Sequence, residues 1–123
     1  MSTIKTDTIQ NRLGTKSVPA DTVIDGSAKA WVNFNGTGTV AIRAAFNVSS
    51  ITDNGTGDYT VNFTNAFSDA NYVAVGQGST VGTDGRFQVE LTTPRTTGLY
   101  RFATINNSQA ATDTTHASVA FFR

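Results

Sequence analysis

The run from Asp58 to Thr64, DYTVNFT, alternates without a slip. Tyr59, Val61 and Phe63 fall on one side, and Asp58, Thr60, Asn62 and Thr64 on the other. Successive side chains of a strand point to opposite faces, so this pattern specifies a strand with one buried and one wet side. Similar runs recur from Lys29 onward. AKAWVNF sets Ala28, Ala30, Val32 and Phe34 against Trp31 and Asn33, and TVAIRAAF sets Val40, Ile42, Ala44 and Phe46 against Arg43. NYVAVG is mixed. RFQVELT sets Phe87, Val89 and Leu91 against Arg86, Gln88 and Glu90. GLYRFATI and HASVAFFR carry apolar residues on both sides. Gly, Asn, Asp and Pro punctuate the runs. The expectation is all-β: an antiparallel β-sandwich or small barrel of about seven or eight strands over residues 28–123.

Composition supports that expectation. Thr occupies roughly one position in six, and the chain has a single glutamate, Glu90. Thr and Val suit a pleated surface, whereas good helix formers are scarce. A chain of 123 residues makes one domain with one modest core. Residues 1–27 differ. Their apolar residues, Ile4, Ile9, Leu13, Val18, Val23 and Ile24, stand apart, with Gly14 and Pro19 between them. This segment reads as an extended arm, either flexible or ordered only against a partner or a sister subunit, with one short strand in ADTVIDGSA.

NGTG occurs twice, at 35–38 and 54–57, each time between strand-like runs. Asn-Gly tolerates positive φ at both central residues, as a tight hairpin requires. Further turns are expected at Asp84–Gly85 and around Pro94.

Several kinds of chemistry are disfavoured. The chain has no cysteine, which removes disulfides and thiolate zinc sites. Its formal net charge is zero with Lys and Arg scattered singly, unlike a nucleic-acid partner. No apolar run approaches the roughly 18 residues of a membrane span, and MSTIKTDTIQNRLG lacks the apolar centre of a secretory signal. Asp53 and Asp58 in DNGTGD miss the ligand spacing of a calcium loop, so Asp53 and Asn54 read as turn formers through side-chain to backbone hydrogen bonds. GQGSTVG at 76–82 misses the dinucleotide spacing and leads into no helix. His116 is the only histidine and stands among Ser and Thr, a poor setting for a catalytic triad. The acids mostly lie in turns or the arm rather than as a catalytic pair. Sequons at Asn35, Asn47, Asn54, Asn62 and Asn106 follow from the Asn- and Thr-rich composition. No catalytic residue, metal or cofactor is expected.

Two-faced strands point to a partner. A sandwich strand needs one apolar face. Trp31 opposes Val32 and Phe34, Phe121 opposes Phe122, and Tyr100 and Phe102 oppose Leu99 and Ile105. A sister subunit would cover the surplus, which predicts a homo-oligomer. Trp31, Tyr72 and Tyr100 are also candidates for stacking on sugar rings, although a core or interface role is simpler for each. The candidate interface and binding residues are therefore Trp31, Tyr100, Phe121, Arg86 and Arg95.

Residues 28–72, AKAWVNFNGTGTVAIRAAFNVSSITDNGTGDYTVNFTNAFSDANY, resemble a segment recurring in tail-fibre and other virion proteins of tailed bacteriophages, especially those of marine bacteria and cyanobacteria. MSTIKTDTIQNRLG is similar to the start of such proteins, and the likeness is looser over 73–123. The resemblance implies a receptor-binding structural protein of the virion exterior, on tail or capsid. It implies a β-structured knob, generally a homotrimer, held to other virion proteins by its N-terminal part. It implies no catalytic residues. Host glycan or protein would be recognised by the loops 76–86, 93–98 and 106–115. The family segment usually ends a long fibre, whereas here only a short arm precedes it. That leaves open a short fibre, a decoration protein without receptor binding, or an excised tip, and Met1 favours a complete short protein. A free carbohydrate-binding module is the alternative from another class.

Overall fold

The computed structural model describes residues 1–79 and 87–123. The arm holds a small hairpin, β1 (Thr8–Gln10) with β2 (Ser17–Pro19), and a short helix, α1 (Ala20–Gly26). The strand expected in ADTVIDGSA is therefore a helix. Pro19 precedes its first residue, where a missing N–H costs nothing, and Asp21 in the first turn suits the helix dipole. Ala20, Val23 and Ile24 stand at helical rather than strand spacing, so they share one face.

Among the described residues eight strands follow: β3 (Ala28–Asn35), β4 (Ala41–Phe46), β5 (Val48–Gly55), β6 (Asp58–Phe63), β7 (Val73–Ser79), β8 (Phe87–Arg95), β9 (Leu99–Ile105) and β10 (His116–Phe122). They form two four-stranded sheets, in the orders β4-β3-β10-β7 and β5-β6-β9-β8, and every pairing is antiparallel. The all-β, sandwich-like expectation holds, and among the described residues no barrel closes.

The core lies between the sheets. Ala30, Val32 and Phe34 of β3 and Ala117, Val119 and Phe121 of β10 face Tyr59, Val61 and Phe63 of β6 and Tyr100 and Phe102 of β9. Two aromatic groups fill it. Phe34, Tyr59 and Phe102 pack at one end, and Phe63, Phe67, Tyr72, Tyr100 and Phe121 at the other. Tyr100 stacks on Phe102 at 5.9 Å and joins the groups. Such ring pairs contribute about 0.5–1.5 kcal/mol each beyond their area.

The chain changes sheet between β4 and β5 through one residue, Asn47, at φ 54°. Its side chain secures the corner, donating to the carbonyls of Lys29 and Asn65, both at 3.1 Å, and accepting from the Asn65 amide at 2.8 Å. Asn tolerates this left-handed backbone better than other non-glycine residues.

Both NGTG turns differ from the simple hairpin. Asn35 and Asn54 remain in strands, and the positive φ falls on Gly38, Gly55 and Gly57. Asn35 organises its loop through its side chain, donating to Thr37 O at 2.7 Å. In the second copy Thr56–Gly57 makes the turn, and Asp53 accepts from the Gly55 amide at 3.0 Å. Pro94 lies inside β8, an edge strand, where a missing N–H is tolerated. The Asp84–Gly85 turn lies outside the described residues.

Two alternations also break. A bulge between Asn33 and Phe34 places Ile42 opposite Phe34 while Ala44 and Phe46 stand opposite Asn33 and Trp31. In β8, Gln88 and Glu90 pair with the buried Thr104 and Phe102, and Val89 is left exposed. Gln88 is accommodated because its amide donates to the carbonyls of Gln77 and Ser118, each at 2.9 Å.

Candidate functional site

The outer faces of the two sheets are unlike. On the β5-β6-β9-β8 sheet, Ser50, Thr52, Asn54, Asp58, Thr60, Asn62 and Arg101 form a polar lattice. Asn62 donates to Ser50 Oγ at 3.1 Å and Thr52 Oγ1 at 3.0 Å, and Asn54 to Thr60 Oγ1 at 2.9 Å. Arg101 grips Asp58 with two bonds, at 2.9 and 2.6 Å. This grip holds the Asp58 carboxyl below the usual aspartate range despite partial burial. The amides of Asn54 and Asn62 and the Arg101 guanidinium thus find acceptors within the face.

The outer face of the β4-β3-β10-β7 sheet is divided. The register aligns Phe46, Trp31, Ala120 and Val75 in one row across all four strands. Phe122 and Val73 form the adjoining row. Phe46 is 54% exposed, Trp31 40%, Val75 51% and Val73 57%. The next row is polar: Asn33, Ser118 and Gln77, with Asn33 donating to Ser118 Oγ at 2.7 Å. Beyond it lie Ser79 and His116. A shallow hollow of about 420 Å³ runs across the border and is lined by Trp31, Asn33, Val75, Gln77 and Ser118 among others.

The arm presents a second apolar surface. Ile4, Ile9, Ala20, Val23 and Ile24 line a hollow of about 810 Å³ together with the chain from Lys5 to Thr8. No residue of the arm is buried. Among the described residues, its hydrogen bonds run within the arm or to Lys29 at the base of β3.

Of the four candidate residues that are described, the structure places only Trp31 on an open face. Tyr100 is 6% exposed and Phe121 is fully buried, so both are corrected from binding surface to core. The reason is register. Tyr100 pairs with Val61 and Phe121 with Ala30 on the inner faces, leaving Leu99 and Phe122 opposite. Tyr72, the other sugar-stacking candidate, is also buried; its hydroxyl donates to Leu99 O at 2.9 Å. Arg95 is structural. Its guanidinium lies over the rings of Tyr72 and Tyr100 at 5.2 and 5.7 Å, pairs with Glu90 and donates to Tyr72 O at 2.7 Å. Arg86 lies outside the described residues, as does most of the candidate loop 76–86.

The candidate loop 106–115 is partly a clamp. Asp113 Oδ1 accepts from the Gly57 amide at 2.7 Å and faces the Tyr59 hydroxyl at 3.1 Å. That hydroxyl donates to Gly36 O at 2.7 Å, and the Gly36 amide donates to Thr114 O at 2.9 Å. The two NGTG copies therefore meet at one pole of the sandwich, joined by Tyr59 and Asp113. Burial, followed by the Asp113 charge, raises the Tyr59 hydroxyl far above an ordinary tyrosine. Among the described residues, no group of three His, Asp or Glu converges as a metal site would, and no helix is long and apolar enough to cross a membrane.

Sequence reasoning missed the row of Phe46 and Val75 beside Trp31. Phe46 sits in a strand whose alternation grouped it with Ile42, and only pairing brings Val75 alongside. Comparison with protein-family models, curated proteins and solved structures finds no match to this chain.

Proposed function

We propose that the chain is a structural protein of a tailed-bacteriophage virion, a short trimeric tail fibre or fibre tip that attaches the particle to the host surface. The observation that carries this reading is the contrast between the two outer faces. One carries a lattice of polar side chains bonded to each other. The other carries an exposed apolar row, Phe46–Trp31–Ala120–Val75, of the kind that subunit association covers. The sequence resemblance over residues 28–72 supplies the virion context. An antiparallel sandwich with an N-terminal arm suits a module displayed on a particle, and the chain acts by binding rather than by catalysis. Host recognition falls to the exposed loop ends, and several copies per virion strengthen weak single contacts through avidity.

The test is localisation and adsorption. Antibody against the purified protein should decorate the tail end of virions of the phage that encodes it. The free protein should bind host cells and slow adsorption. Label on the capsid with no effect on adsorption would favour a decoration role. Absence of label from purified virions would overturn the reading.

A further inference from the structure

We propose that the arm of one copy docks on the outer face of the β4-β3-β10-β7 sheet of a neighbouring copy, with the Ile4–Ile9–Val23–Ile24 side of the arm meeting Phe46, Trp31, Val73 and Val75. The inference rests on the subunit association within the function proposed above and names the surfaces that make it.

Three observations lead there. First, the arm cannot be held by its own contents. Fewer than about 40 residues rarely fold without a staple or a partner; the arm has no cysteine and no buried residue, yet it forms a hairpin and a helix with a common apolar side. Second, the arm does not settle on its own sandwich: among the described residues its hydrogen bonds reach only Lys29. Ile4 is 90% exposed, Ile9 46%, Val23 43% and Ile24 58%.

Third, the areas fit. At roughly 150–250 Å² per large side chain, those exposures leave about 400 Å² of apolar surface on the sheet face and about as much on the arm. A stable interface takes about 800 Å² from each partner. A little over half of such an area is apolar, so about 400 Å² of apolar surface from the arm and about as much from the sheet face match one contact. A copy that gives its arm to one neighbour and its sheet face to another makes two such contacts. The contact joins two different surfaces, so it is heterologous and closes by forming a ring, as a trimer does.

The absence of cysteine makes the test clean. Two differently tagged full-length chains, Ile24→Cys and Phe46→Cys, are co-expressed and oxidised. The expected product is a disulfide-linked species carrying both tags, at higher yield than the like-tagged species. Ile24→Glu and Phe46→Glu should each raise the midpoint concentration of assembly at least about tenfold. Val89→Glu on the opposite outer face should leave it unchanged. Trp31 is the single tryptophan, so its emission should move to longer wavelength in Ile24→Glu at the same concentration.

A wild-type monomer in light scattering at micromolar concentration would overturn the proposal. So would a crosslink that forms only when both cysteines are on one chain. An oligomer that survives both glutamate variants would also overturn it, while leaving the fibre reading to the virion-labelling result.

Discussion

Removing the Tyr59 hydroxyl should loosen one end of the sandwich without disturbing the core. Tyr59 is fully buried, and its ring packs edge-on against Phe34 at 5.1 Å. Tyr59→Phe keeps that ring and deletes only the donor. Two groups then lose it: the carbonyl of buried Gly36, and Asp113, which keeps the Gly57 amide. A hydrogen bond involving a charged group contributes about 1.5–3 kcal/mol, and a stranded buried acceptor costs about 1–3 kcal/mol. The two descriptions overlap, so the expected loss is about 2 kcal/mol. For a domain of this size that lowers Tm by roughly 6–10 °C. The assay is urea unfolding followed by circular dichroism, extended to a double-mutant cycle with Asp113→Ala. Because the side chains touch, the cycle should return a coupling of about 1 kcal/mol. A Tyr59→Phe protein within about 0.5 kcal/mol of wild type, with an additive cycle, would refute the role assigned to the clamp.

Alkaline titration follows from the same burial. Burial raises all three tyrosines, with Tyr72 pushed up to about 12. The folded state prefers the neutral phenol, so this contribution is whole below the unfolded pKa of about 10 and is lost as pH climbs through the raised values. Phenolate absorbance should appear together with loss of the fold; a third of it developing near pH 10 in intact protein would contradict the burial. On the acid side, the Arg123 bonds and the Asn71 amide hold Asp69 down to about 2. Its contribution is present above about pH 4 and disappears as pH falls toward 2. In Arg123→Gln the Asp69 carbon resonance should titrate higher, while stability at neutral pH barely changes because the pair is exposed. Glycine substitutions should separate backbone strain from collision. Gly38→Ala meets open space at φ 60° and should cost about 1 kcal/mol, whereas Gly57→Ala places its Cβ 2.5 Å from Thr112 N and should cost about 3 kcal/mol or more by chemical denaturation.

The sandwich was legible because burial on one face imposes period-two alternation. Tyr59, Val61 and Phe63 declare β6 without any knowledge of its neighbours, and Trp31 announces a second apolar side to β3. Legibility failed wherever long-range pairing sets the outcome. β5 carries Ser, Thr, Asp and Asn, which read as turn, because most of its side chains meet only water and the polar lattice of its own sheet. Gln88 and Glu90 occupy core-side positions that alternation assigns to Val89, because cross-sheet hydrogen bonds and the Arg95 pair satisfy them. The helix in the arm escaped because three residues at helical spacing are too few to outweigh β-branched Thr, Val and Ile.

By itself, then, the sequence determined the fold class and marked more apolar positions than one sandwich core holds, since both rest on local patterning. The tertiary structure alone decided which apolar residues stay in the open. Tyr100 and Phe121 look as available as Trp31 along the chain, yet they pair with Val61 and Ala30 on inner faces while Trp31 pairs with Phe46 outside. Only sheet order sets Phe46, Trp31, Ala120 and Val75 in one row. Residues up to 89 positions apart become neighbours there through hydrogen-bonded register, a long-range property that no window of sequence carries.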